Sequence, residues 1–133
     1  MKSLEGLNEE QKEAVLHSEG PLLIVAGAGA GKTKTITHRI ARLIESGIRG
    51  EQILAVTFTN KAAKELKDRV VSLIEKNGGM PTVATFHGFS VLLLREFYDY
   101  IGGKKDFKIL DESDAEKLIK EAVTKQNLDP KKY

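Results

Sequence analysis

The sequence of 133 residues contains no cysteine. That excludes a disulfide scaffold and a thiolate metal site, and it is compatible with a reducing compartment. It also lacks a strong charge of either sign: the formal net charge is +2. A value so small gives no argument for nucleic acid from charge alone. No stretch approaches the roughly 18 consecutive apolar residues of a membrane span, so no membrane partner is expected. Met1 to Glu10 lacks the apolar core of a signal peptide, which makes the cytoplasm the expected location. There is no internal repeat and no low-complexity tract. What remains is a balance of 41% hydrophobic and 30% charged residues, sufficient for one soluble domain with one core.

Several segments carry helix or strand signals. Asn8 to Gln11 has the form of a capping box, with Asn8 as N-cap, and starts a helix that runs to about His17. After Gly20-Pro21, the run Leu22 to Ala26 is continuously apolar, the pattern of a strand buried on both faces in a parallel sheet. A glycine-rich turn and a helix from about Gly31 to Glu45 follow, stopped by Gly47. The cycle repeats with a strand at Ile53 to Thr57 and a helix capped by Asn60 that runs to about Lys76 and ends at Asn77-Gly78-Gly79. It repeats again with a weaker strand at Thr82 to Thr85 and a helix from Phe89 to Tyr100. Three alternations of strand and helix predict an α/β fold built of βαβ units, with a parallel sheet of three or more strands. Gly102 to Lys105 reads as a boundary. Beyond it lie a short extended piece, a capping-box signature at Ser113 to Glu116 and one helix to about Gln126.

The chemistry sits between the first strand and its helix. Ala26-Gly27-Ala28-Gly29-Ala30-Gly31-Lys32-Thr33 matches the phosphate-binding P-loop pattern, with alanine in place of the first glycine. Glycines let the backbone adopt left-handed angles and bring N–H groups from Ala28 to Gly31 near anionic oxygens. The helix that follows presents its positive end. Lys32 would reach the β- and γ-phosphates, and the Thr33 hydroxyl would hold Mg²⁺. The motif implies a nucleoside triphosphate without naming the reaction, since kinases, GTPases, ATPases and motors share it.

The surrounding motifs are more specific. Leu7 to Val15, the P-loop, Thr57-Phe58-Thr59-Asn60-Lys61-Ala62-Ala63 and Thr85-Phe86-His87-Gly88 occur in the order and spacing of UvrD/Rep/PcrA-type superfamily 1 DNA helicases, and the chain resembles that family over nearly its whole length. The resemblance implies a P-loop NTPase fold with a RecA-like sheet, ATP and Mg²⁺ as cofactors, and single-stranded DNA as partner. Residues 1–101 correspond to the front of the first RecA-like domain, and 102–133 to the opening of the helical 1B subdomain. It implies that Gln11 reads adenine. The local alternative is that Gln11 only closes the capping box with Asn8. It implies DNA contacts from Thr57, Phe58, Thr59, Asn60 and Lys61, with Phe58 stacking on a base, and from Thr85, Phe86 and His87. The bland alternative puts both phenylalanines in the core. Lys34, on the nucleotide side, keeps the charge of the arginine usual in the family but not its flat guanidinium. Arg39, further along the same helix, is expected to face solvent.

One part of such a site is missing from the sequence. Ile109-Leu110-Asp111-Glu112 is the only candidate for an acidic strand end that would hold Mg²⁺. Its apolar run is short and broken by Lys108, and the acids have a sufficient role at the positive end of the next helix. No D-E-x-Q-D motif and no second RecA-like domain are present. The expectation is therefore a fragment of a longer helicase that binds ATP but turns little of it over. Its sheet edges would be open to self-association. A small P-loop phosphotransferase and a non-catalytic nucleotide-binding module are the alternatives.

Overall fold

Alternation of apolar segments with amphipathic ones folds this chain into α/β units, seen here in a computed structural model. The structure describes residues 2–27, 29, 31–74, 78–102 and 106–127. The chain divides into two compact units, Met1–Leu92 and Leu93–Tyr133.

In the first unit, α1 (Glu9–Leu16) starts at Asn8, which accepts from the Gln11 N–H and closes a complete capping box. Helix α2 (Lys32–Glu45) follows the glycine-rich turn. A short 3₁₀ turn, Gly50–Gln52, leads into β1 (Leu54–Thr57). Helix α3 (Asn60–Leu73) then crosses to β2 (Thr82–Thr85), which pairs with β1 in parallel from Leu54 opposite Thr82 to Thr57 opposite Thr85. This is one βαβ unit, the connection that a parallel pair requires. Helix α2 packs on α1 and α3, and α3 lies on both strands. The core forms where these meet: Ile40, Ala55, Leu66 and Val70 are buried, with Ile44, Ile53, Ile74 and Val83 against them.

Several expectations from the sequence need correction, the first being the sheet of three or more strands, since the described residues form two. Leu22 to Ala26 is not a strand. Its exposure still alternates as a strand's would: Leu23 and Val25 are 86% and 87% exposed, while Ile24 and Ala26 are half-buried. A strand exists only through a paired neighbour, and among the described residues the sheet contains β1 and β2 alone. The N-cap of α3 is Thr59, whose Oγ1 accepts from the Ala62 N–H, and Asn60 is already helical. Helix α4 (Phe86–Phe97) begins directly after β2, earlier than Phe89. Thr85 makes this possible, since its Oγ1 accepts from the Gly88 N–H and satisfies the first turn. The helix stop at Asn77 and the boundary residues 103–105 lie outside the described residues.

Gly50 marks the closest backbone approach. It is buried, and a Cβ there would run into the carbonyl of Gly79 and the Met80 nitrogen at distances no real Cβ tolerates. Backbone cannot swing aside as a side chain can. Gly50→Ala is therefore expected to destabilise the fold by about 1–3 kcal/mol, read from urea unfolding. An unshifted midpoint would show that the two segments need not approach so closely.

The second unit holds the end of α4, a 3₁₀ turn at Tyr98–Ile101 and α5 (Glu112–Lys125). The Tyr98 ring stacks on Phe107 with centroids 5.0 Å apart. The cap of α5 is Asp111 rather than Ser113: its Oδ1 accepts from the Asp114 N–H at 2.8 Å. A carboxylate suits that place better than a hydroxyl because the helix end is positive.

Candidate functional site

The glycine-rich turn is shaped by residues without a Cβ. Gly29 and Gly31 have φ of +77° and +81°, in the left-handed region that glycine enters without strain. Ala28 and Ala30 lie outside the described residues. Gly31 is the N-cap of α2 and offers no side-chain acceptor, so the first N–H groups of that helix are available to an anion. Lys32 opens the helix and turns back over the loop. Its Nζ donates to the carbonyls of Ala26 at 2.8 Å and Gly27 at 2.7 Å. Two of its three hydrogens are thereby directed by the loop itself. Thr33 is exposed beside it.

The turn before α1 reaches the same place. Gln11 Oε1 accepts from the Asn8 N–H at 3.1 Å, and its Nε2 lies against Gly31, 2.6 Å from where a Cβ would stand. A Cβ at that position would push the end of the Gln11 side chain aside. Lys34 donates its Nζ to the Gly6 carbonyl and so ties α2 to the turn that carries Asn8. The structure therefore brings Gln11 of α1 beside Gly31 and Lys34 at the start of α2.

Arg39 does not point freely into solvent. Its Nη1 donates to the carbonyls of Ala14 at 2.8 Å and His17 at 2.6 Å. The end of α1 leaves carbonyls without helical partners, and α1 has no basic residue in its own last turn. Arg39 supplies that cation from α2. A helix without a basic residue near its C-terminus is the one sequence signal that pointed here, but it does not say which arginine answers it. His38 is buried and donates through Nδ1 to the Ser3 carbonyl, while Ser3 Oγ donates to Glu45. Partners 35 residues or more apart have no local signature.

At the carboxyl ends of the strands, the register sets Thr57 beside Thr85. The residues that follow each strand thus emerge side by side. Phe58 is 90% exposed and Phe86 is 53% exposed, with ring centroids 5.3 Å apart and planes tilted by 51°. Neither is a core residue. Thr59, Asn60, Lys61 and His87 are exposed around them. The rings are too close to admit a base between them, which needs about twice the 3.4 Å stacking repeat, so they form one platform with an open outer face.

A cavity of about 300 Å³ reaches from Thr33 in the first turn of α2 to Thr57 at the end of β1. It lies between α2 and β1, and its lining includes Thr33, Arg39, Ile40, Ala55 and Thr57. Asp111 and Glu112, the acids that imitate a Mg²⁺-holding strand end, are committed to the start of α5. Among the described residues no cluster of three or more His, Asp or Glu side chains is placed to hold a metal, and no helix is long and apolar enough to cross a membrane.

Known proteins share this pattern. Residues 7–133 match the UvrD/REP helicase N-terminal domain. The ATP-dependent DNA helicase PcrA of Bacillus subtilis (strain 168) is 48% identical over 131 residues, and those of Staphylococcus aureus (strain Mu50) and Staphylococcus epidermidis are each 46% identical over the same length. The match covers 98% of this chain but 18% of the relatives' length. The chain belongs to the UvrD/REP helicase N-terminal domain family.

Proposed function

We propose that this chain is the ATP-binding front portion of an ATP-dependent DNA helicase that moves 3′ to 5′ along single-stranded DNA. The observation that carries this is the side-by-side emergence of Phe58 and Phe86, exposed, at one sheet edge. A phosphotransferase acting on a small molecule has no use for an exposed aromatic platform, and the similar proteins are named DNA helicases.

On this reading residues 1–101 are the front of a RecA-like P-loop domain and 102–133 open the 1B subdomain. Lys32 holds the β- and γ-phosphates, together with the N–H groups of 28–31. Gln11 meets adenine, with Lys34 close by. The site fits a Mg²⁺ nucleotide. Mg²⁺ keeps several waters and needs few protein ligands, so the exposed Thr33 hydroxyl and the phosphates suffice on this side. When bound, the ion neutralises phosphate charge. Phe58 stacks on a base, Phe86 supports its ring, and Thr57, Thr59, Asn60, Lys61, Thr85 and His87 meet the backbone. The location is cytoplasmic.

Titrating a labelled oligothymidine with the chain at increasing salt tests this. The logarithm of the binding constant is expected to fall linearly with the logarithm of salt, by about 0.7 for each phosphate neutralised. An absence of binding at low salt would remove the DNA side of the proposal.

A further inference from the structure

We propose that a recess between α2 and α3 binds a free hydrogen phosphate ion, held by the cations of Lys34 and Arg69 and selected by the lone pair of His38. The proposal does not rest on the nucleotide reading.

The recess has a volume of about 150 Å³ and is lined by Lys34, Thr37 and His38 of α2 and by Arg69, Ser72 and Leu73 of α3. Pockets that take whole small-molecule ligands begin at roughly 300 Å³, so this one suits a single small ion. No acidic side chain lines it. Lys34 spends one of its three ammonium hydrogens on the Gly6 carbonyl. The Arg69 guanidinium has no ion-pair partner among the described residues, although Glu65 stands one turn before it on α3. Two cations that line one recess without a counter-charge repel each other, and an anion between them removes that cost.

The uncharged groups decide which anion fits. The Thr37 hydroxyl donates to the Thr33 carbonyl and the Ser72 hydroxyl to the Arg69 carbonyl, so neither has a hydrogen left for the ion. His38 is 7% exposed, and its Nδ1 meets the Ser3 carbonyl at 2.9 Å. A carbonyl only accepts, so that bond places the ring proton on Nδ1. The polar atom that the neutral ring has left for the recess is Nε2, which has no partner among the described residues. Its lone pair repels a bare anion but accepts from one that carries a hydroxyl. Hydrogen phosphate has both features: negative oxygens for Lys34 and Arg69, and a P–OH for Nε2. Sulfate is similar in size and charge but brings no proton. A DNA phosphodiester brings none either, and its two sugars hinder entry to a recess lined by a buried ring.

The test follows the imidazole signals of His17, His38 and His87 by NMR in the full chain as inorganic phosphate or sulfate is added, with chloride holding the ionic strength constant. The pH is kept at about 8, where an ordinary imidazole is neutral. The His38 signal is expected to shift saturably with phosphate, and sulfate to bind about tenfold more weakly or worse. Arg69→Gln should weaken phosphate about tenfold, and because the side chain is exposed the fold is spared. The saturable shift should persist in Lys32→Ala, which separates this recess from the glycine-rich turn. Its loss in Lys32→Ala would assign the ion to the turn and overturn the proposal. Equal affinity for sulfate, unchanged affinity in Arg69→Gln, or displacement of phosphate by oligothymidine would overturn it as well.

Discussion

Lys32→Ala is expected to weaken ATP binding by about 100-fold or more, because charge-assisted hydrogen bonds contribute about 1.5–3 kcal/mol each and the lysine serves two phosphates. The geometry makes this the largest effect at the nucleotide site. The ammonium is already drawn over the loop by the carbonyls of Ala26 and Gly27, so little ordering is needed for it to meet an anion there. Those same contacts raise an alternative, that the substitution acts by loosening the loop. Lys32→Met answers it: methionine fills most of the volume without the charge, and it should lose ATP as completely as alanine does. Isothermal titration at fixed Mg²⁺ measures both. If either variant bound ATP with wild-type affinity, the phosphate site would lie elsewhere. Because Lys32 touches no part of the Phe58 and Phe86 platform in the described contacts, oligothymidine binding in the absence of nucleotide should persist.

Phe58→Ala is expected to weaken single-stranded DNA binding by roughly 5- to 150-fold, from the 1–3 kcal/mol that a stacked base contributes. A side chain 90% exposed contributes little to the fold, so thermal stability should change by under about 0.5 kcal/mol. The two readouts together decide between platform and core. A large loss of stability with unaltered DNA affinity would mean that the ring is structural after all. Phe58→Ala should also leave the slope of binding against salt nearly unchanged, since stacking releases no counterions, whereas Lys61→Ala should lower that slope by about 0.7. Phe86→Ala should give a smaller loss than Phe58→Ala, because Phe86 supports the outer ring rather than presenting the more open face.

Much of this was legible in the chain itself, and the reason is locality. The capping box at Asn8 and Gln11 spans one helical turn, and it formed as read. The helices at Lys32–Glu45 and Asn60–Leu73 follow from apolar periodicity and nearby stops, within a residue or a few of expectation. The P-loop composition fixes its positive φ angles at Gly29 and Gly31, because other residues resist that backbone conformation. What the sequence did not decide depends on partners distant along the chain. The apolar run Leu22 to Ala26 asks for a strand on each side, and a request for neighbours is not a neighbour. Arg39 was read as a solvent residue because the carbonyls it caps lie 22 and 25 positions earlier. Composition alone left Phe58 and Phe86 open to a core reading, and only the family resemblance put them on the DNA side. Parallel register between two strands sets them together in the open. The residue types in this sequence determined that a glycine-rich turn with left-handed glycines forms before α2. Only the tertiary structure decided what faces it, since long-range pairing is selected by the packing of the whole unit and leaves no mark at either partner alone.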